Sequence, residues 1–154
     1  MSDASLPEPL PLLHLDNQLC FSLYSLSRLV TQRYTPLLKP LDLTYPQYLV
    51  MLVLWQYWEE GEQSLSISQL TTRLKLDTGT LTPLLKRMEV KGLLTRQRSV
   101  QDERNVLVSL TAKGEELRAQ AQGVPTALLC QAETDVEQIT ALREQLKQMM
   151  AVLI

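Results

Sequence analysis

Residues 71–114, TTRLKLDTGTLTPLLKRMEVKGLLTRQRSVQDERNVLVSLTAKG, read in order as helix, turn, helix, strand, charged loop and strand. The stretch is also a basic island in an acidic chain. Arg73, Lys75, Lys86, Arg87, Lys91, Arg96, Arg98, Arg104 and Lys113 stand against Asp77, Glu89, Asp102 and Glu103: nine bases to four acids, a net +5. The other residues hold six bases and thirteen acids, a net −7, and the two together give the chain's −2. Lys and Arg gathered on one face supply the phosphate-neutralising part of DNA binding, so the local sign points to double-stranded DNA where overall acidity says little.

Within the island, Asp77 is the candidate cap of a helix whose Leu81, Leu84, Leu85 and Met88 recur at i, i+3, i+4 and i+7. With that face packed inward, Thr78, Thr80, Thr82, Lys86 and Arg87 point outward. Small polar groups at the helix start suit base edges, and the basic pair further along suits phosphates. Pro83 removes a hydrogen bond to the carbonyl of Gly79, so either the first turn is irregular or the regular helix begins nearer Thr80. Gly92 is placed to end the helix. A strand with Arg96 and Arg98 alternating with Thr95 and Gln97 follows, and its partner turns Val106, Val108 and Leu110 inward. The connecting SVQDERN is the tip of a wing. An arginine there, Arg104, can enter a minor groove, where negative potential is focused. Asp102 is expected to orient Arg104 rather than touch DNA, because a carboxylate near phosphate is repelled.

Upstream, Met1 to about Pro11 has three prolines in a polar setting and is expected to be a mobile arm. A first helix is predicted over about 12–38, with Leu12, Leu15, Leu19, Leu23, Leu26 and Val30 on one face. Thr44-Tyr45-Pro46-Gln47 has the form of a capping box that opens a second helix, reaching about Glu60 and apolar on nearly every side. Gly61 breaks it, Leu65-Ser66-Ile67 is short enough for a minor strand, and Ser66 or Ser68 caps a short helix. Downstream, Thr111 caps a long helix interrupted at Gly123-Val124-Pro125, and a last helix carries Val136, Ile139, Leu142, Leu146 and Met149. The fold class is mainly α: a winged helix-turn-helix core at about 44–114 with helices at about 12–38 and 111–154. Those outer helices hold more apolar surface than so small a core needs, which predicts a homodimer.

At 154 residues and 45% hydrophobic content the chain can form one domain plus assembly helices. No run approaches the ~18 apolar residues of a membrane span, and the start lacks the pattern of a secretory signal, so a cytoplasmic protein with no membrane partner is expected. Two distant cysteines, Cys20 and Cys130, and one histidine make neither a disulfide framework nor a zinc site, and no metal or cofactor is expected. In a reducing compartment such cysteines are inert core residues or redox-active ones.

The recognition segment LDTGTLTPLLKRMEVKGLL and the wing DERNVLVSLTAKG resemble those of the MarR family of winged-helix repressors, and the resemblance runs from about Leu12 to the C-terminus. The segment LDNQLCFSLYSLSR around Cys20, with Tyr34 and Tyr45 downstream, is similar to the organic-hydroperoxide-sensing branch. That resemblance implies a homodimeric repressor of a peroxide-reducing enzyme's gene, induced by organic hydroperoxides. It assigns Cys20 as the reactive cysteine and Tyr34 and Tyr45 as hydrogen-bond donors to its thiolate. It also implies that Cys130, on the late helices, resolves oxidised Cys20 through a disulfide between subunits.

The chemistry fits these residue types. A thiol attacks peroxide as the thiolate, and hydroxyl donors stabilise that anion. If Cys20 and Tyr34 share one unbroken helix, 14 residues at ~1.5 Å each put them about 21 Å apart, so a Tyr34 that serves Cys20 belongs to the other subunit or follows a sharp bend. Two other functions fit parts of the pattern. One is a repressor released by a phenolic or other small ligand, which would still respond after Cys20→Ser. The other is a thiol peroxidase, but a peroxidase has no use for a wing with a basic tip, so a non-enzymatic regulator is expected.

Overall fold

The structure is a computed structural model that describes residues 11–132 and 134–154. The expected N-terminal arm lies outside the described residues, Pro11 apart. Two units are distinguished, Met1–Arg33 and Tyr34–Ile154.

In the first unit, a 3-10 turn at Leu15–Asn17 precedes helix α1, Leu19–Leu38, whose last turn from Tyr34 onward belongs to the second unit. The helix therefore begins seven residues later than the apolar periodicity predicts. The cause is local competition for backbone carbonyls. His14 N–H donates to the Pro11 carbonyl at 3.1 Å and Asn17 Nδ2 donates to the same carbonyl at 3.1 Å. The Gln18 side-chain amide donates to the carbonyls of Leu12 and His14, and Gln18 itself is extended (φ −90°, ψ 114°). Cys20 is thereby moved from mid-helix to the first turn of α1.

The second unit is built around helix α2, Tyr45–Glu59, which buries Tyr48, Val50, Met51, Val53, Leu54 and Trp55. Its start is the predicted capping box: Gln47 N–H donates to the Thr44 hydroxyl at 3.4 Å, and Thr44 N–H donates to Gln47 Oε1 at 3.1 Å. After Gly61 (φ 94°) comes strand β1, Leu65–Ser66, then helix α3, Ile67–Leu74. Of the two candidate serines, Ser66 is the cap, in a second reciprocal box with Gln69.

Helix α4, Thr78–Val90, is capped by the Asp77 carboxylate, which accepts Thr80 N–H at 2.8 Å. It runs regularly through Pro83, which settles the ambiguity over its start: the missing N–H is tolerated because the buried face of Leu81, Leu84, Leu85 and Met88 fixes the helix. Its end is a Schellman motif, with Gly92 at φ 74°, Gly92 N–H donating to Glu89 O and Leu93 N–H to Met88 O.

Strands β2, Leu94–Arg98, and β3, Val106–Leu110, pair antiparallel from Leu94↔Leu110 to Arg98↔Val106. The short β1 adds on the far edge of β3 with Leu65↔Val108, giving the order β1-β3-β2. Helix α5, Ala112–Ala121, starts where Thr111 accepts Gly114 N–H and donates its hydroxyl to Gly92 O at 2.5 Å. Gly114 is obligatory there, because a Cβ would meet the Leu93 carbonyl oxygen at 2.1 Å. Its own carbonyl accepts Trp55 Nε1–H at 2.8 Å, tying the first turn of α5 to the core helix. Helix α6, Val124–Ala132, follows the expected break, and helix α7, Val136–Leu153, has no buried residue. Among the described residues no helix is long and apolar enough to cross a membrane.

Candidate functional site

The outward side of α4 and the wing form one candidate surface. Thr78, Thr80, Lys86 and Arg87 are exposed and Thr82 is half-buried. Thr80 also donates its hydroxyl to the Asp77 carboxylate at 2.8 Å, so it braces the helix start while its oxygen can still accept. That bond, with the Thr80 backbone bond behind it, holds the Asp77 carboxyl below the usual carboxylate range. Arg87 Nε donates to the Pro83 carbonyl at 3.3 Å, laying the guanidinium along the helix.

At the wing, Arg98 reaches the Glu103 carbonyl at 3.3 Å. Asp102 contacts Arg104, but through the backbone: its carboxylate accepts Arg104 N–H at 3.0 Å and the Asn105 side-chain amide at 3.2 Å. The carboxylate therefore shapes the turn that presents Arg104, and Arg104 is exposed. Arg96 is placed differently from its neighbours. Its guanidinium donates twice to Glu89 Oε2, at 2.9 and 3.1 Å, and its N–H donates to Oε1 at 2.9 Å. This fork ties β2 to α4 and lowers the Glu89 carboxyl, chiefly through the side-chain bonds from Arg96. Its geometry makes Arg96 a brace between wing and helix rather than a free cation.

A second candidate centre lies where the end of α1 meets the start of α2. The rings of Tyr34 and Tyr45 are 4.9 Å apart, and Tyr34 and Tyr48 are 5.6 Å apart. The two tyrosines named from sequence are brought together, and a third, Tyr48, joins them. Tyr48 follows Tyr45 by three residues, one helical turn, so spacing alone could have found it. Burial first, then the neighbouring phenols, pushes the Tyr48 hydroxyl up to about 12, and burial also raises Tyr34 and Tyr45. All three hydroxyls thus stay protonated at neutral pH, and those of the partly buried Tyr34 and Tyr45 are available to donate to an anion.

Cys20 and Cys130 are exposed free thiols, Cys20 in the first turn of α1 and Cys130 on α6. The first N–H groups of a helix lack intrahelical acceptors, and the dipole's positive end lies there, a setting suited to an anion. Among the described residues no group of His, Cys, Asp and Glu is arranged to hold a metal ion.

A family model described as the transcriptional regulator SarA/Rot matches residues 32–120. The organic hydroperoxide resistance transcriptional regulator of Bacillus subtilis (strain 168) is 46% identical over 132 residues, 86% of each chain. Among solved structures, AbfR of Staphylococcus epidermidis resembles the chain in several states. Reduced AbfR bound to DNA has a TM-score of 0.77 at 36% identity, covering 90% of this chain and 94% of AbfR. Overoxidised AbfR bound to DNA scores 0.70 at 36% identity, covering 91% and 95%. Disulfide-formed AbfR scores 0.63 at 34% identity, covering 90% and 91%.

Proposed function

The chain belongs to the MarR/SarA winged-helix family of transcriptional regulators, and from that premise we propose that it is a homodimeric, cytoplasmic repressor that releases operator DNA when organic hydroperoxides oxidise Cys20. The observation that supports the redox part is the neutral tyrosine cluster of Tyr34, Tyr45 and Tyr48, three phenols packed ring to ring. Because α1 carries both Cys20 and Tyr34, the helical spacing supports the reading that the cluster serves the cysteine of the partner subunit.

In the proposed reaction the Cys20 thiolate attacks the distal oxygen of the hydroperoxide. The O–O bond breaks, the alcohol leaves with a proton, and Cys20 becomes a sulfenic acid. The Cys130 thiol of the partner then attacks that sulfur, forming the disulfide and releasing water. AbfR is found on DNA both reduced and overoxidised, and its disulfide form is less like this structure, which supports assigning release to the disulfide rather than to oxidation alone. The disulfide displaces the terminal helices and takes the two α4 helices out of their spacing, about one DNA turn or ~34 Å. Each event reports once; turnover is not the purpose.

The test is a DNA shift assay on the chain's own upstream region with and without cumene hydroperoxide. The native protein should release DNA and Cys20→Ser should not; native protein that stays bound would sink the sensor reading. A hollow of about 220 Å³ lined by Tyr48, Leu52, Trp55, Arg118 and Pro125 favours a second reading, release by a phenolic ligand, which Cys20→Ser would leave intact.

A further inference from the structure

Lys91 belongs to the basic island by sequence, but its ammonium is engaged by the turn before α2 and by the first turn of that helix. It is the C-cap of α4, and its ammonium donates to the Asp42 carbonyl at 2.5 Å and to Gln47 Oε1 at 3.3 Å, and pairs with the Asp42 carboxylate at 3.3 Å. An ammonium has three N–H donors, and here three acceptors engage it. The lysine cannot also bind a phosphate without leaving this network.

The acceptors are informative. Gln47 is a buried polar residue, 3% exposed, and its Oε1 is the atom that accepts Thr44 N–H in the capping box of α2. Tyr45 sits inside that box, and its ring packs on Tyr34. Asp42 is a non-glycine residue in left-handed conformation (φ 51°) on the turn that feeds α2, so Lys91 grips that turn by both its carbonyl and its carboxylate. On the other side, the Lys91 carbonyl accepts Lys113 Nζ at 2.7 Å, and Lys86 and Arg87 lie one turn back along α4. The first turn of α2, which carries Tyr45, is thus fastened by one side chain to the end of the helix that carries the proposed DNA contacts.

We propose that Lys91 is the positioning residue that transmits the state of the tyrosine cluster to α4. The inference rests on the redox reading above. A shift of Tyr45 that opens the Thr44–Gln47 box moves Gln47 Oε1, frees the Lys91 ammonium and lets the end of α4 turn relative to α2.

The experiment measures DNA affinity before and after cumene hydroperoxide, with thiol loss followed in parallel, for native protein, Lys91→Met and Asp42→Asn. Asparagine tolerates the left-handed turn, and Asp42 is exposed, so Asp42→Asn keeps the test valid if Lys91→Met folds poorly. Thiol loss should be unchanged in both variants, and the reduced-state salt slope should match native. The ratio of oxidised to reduced dissociation constants should fall by roughly tenfold in Lys91→Met and by less in Asp42→Asn. An unchanged ratio in both variants overturns the relay alone. A reduced-state affinity loss with the salt slope flattened by about one identifies Lys91 as a phosphate contact and also overturns it. Native protein that keeps its DNA under peroxide overturns the sensor reading and the relay with it.

Discussion

The winged core and the helices outside it solve opposite problems. In the core, α2, α3, α4 and the sheet bury Tyr48, Met51, Leu70, Leu81, Leu85, Met88 and Val108 almost completely. On α7, Val136, Leu142 and Met150 are exposed by 41–59%, and α1 buries only Leu38. A single copy therefore satisfies the core by itself, while among the described residues these apolar side chains of the outer helices stay exposed. The core packs within one chain, whereas the apolar side chains of the outer helices are open to a second chain.

The strongest challenge to that division is Leu142→Glu on α7. If the outer helices serve assembly, the variant should sediment as a monomer while its thermal transition by near-ultraviolet dichroism survives. Specific DNA affinity should fall by roughly 10²–10⁴, the advantage that linking two readers supplies. A dimer of native affinity would mean that α7 is not an assembly surface. Next in size is Gly114→Ala inside the core. The added methyl meets the Leu93 carbonyl, which belongs to backbone shared by the Schellman turn and Thr111 and has no room to retreat. Unfolding in urea should show a loss of about 2 to 4 kcal/mol. A neutral result would show that the wing and α5 dock loosely.

The same division explains what the sequence made legible. Caps were readable because their partners are three residues apart: Thr44 with Gln47, Ser66 with Gln69, Asp77 with Thr80. The core face of α4 and the β2–β3 hairpin were readable from period. The start of α1 was not, since Leu12 and Leu15 continue the apolar period while the Asn17 and Gln18 amides capture the carbonyls that the helix would need. Tyr34 and Tyr45 came from resemblance alone; the spacing from Tyr45 offered Tyr48, but the packing of Tyr34 on it joins two helices and exists only once they are docked. The Glu89–Arg96 fork joins a helix to a strand, and the Lys91 network spans 44 to 49 residues of chain. Such contacts exist only once the elements are docked, so Arg96 and Lys91 looked like two more cations of a basic face.

A smaller effect belongs to the wing tip. Arg104→Ala removes an exposed cation but leaves the Asp102 turn, because that turn uses the Arg104 backbone. Binding should weaken by about tenfold, with the salt slope reduced by about one. Unchanged affinity and slope would remove Arg104 from the DNA surface and leave recognition to α4.

The smallest effect asks whether the core's rigidity owes anything to charge. Glu89 is about one-third exposed, and the Arg96 bonds depress its carboxyl in the folded state. A depressed carboxyl contributes stability above its unfolded value, near 4.3, and loses it as pH falls through the folded value. Glu89→Gln should therefore melt slightly earlier than native at neutral pH, by an amount within the ~0.2–1 kcal/mol of partly exposed ion pairs. The difference should close as both are acidified through the depressed folded value of the native carboxyl, where Glu89 takes up its proton. If Glu89→Gln instead cost as much as Gly114→Ala, the wing would be hung on its ion pair rather than packed. The variant also frees the Arg96 guanidinium. A steeper salt slope for DNA binding would then show that Glu89 keeps a cation out of the reading surface, and an unchanged slope would show that Arg96 serves the fold alone.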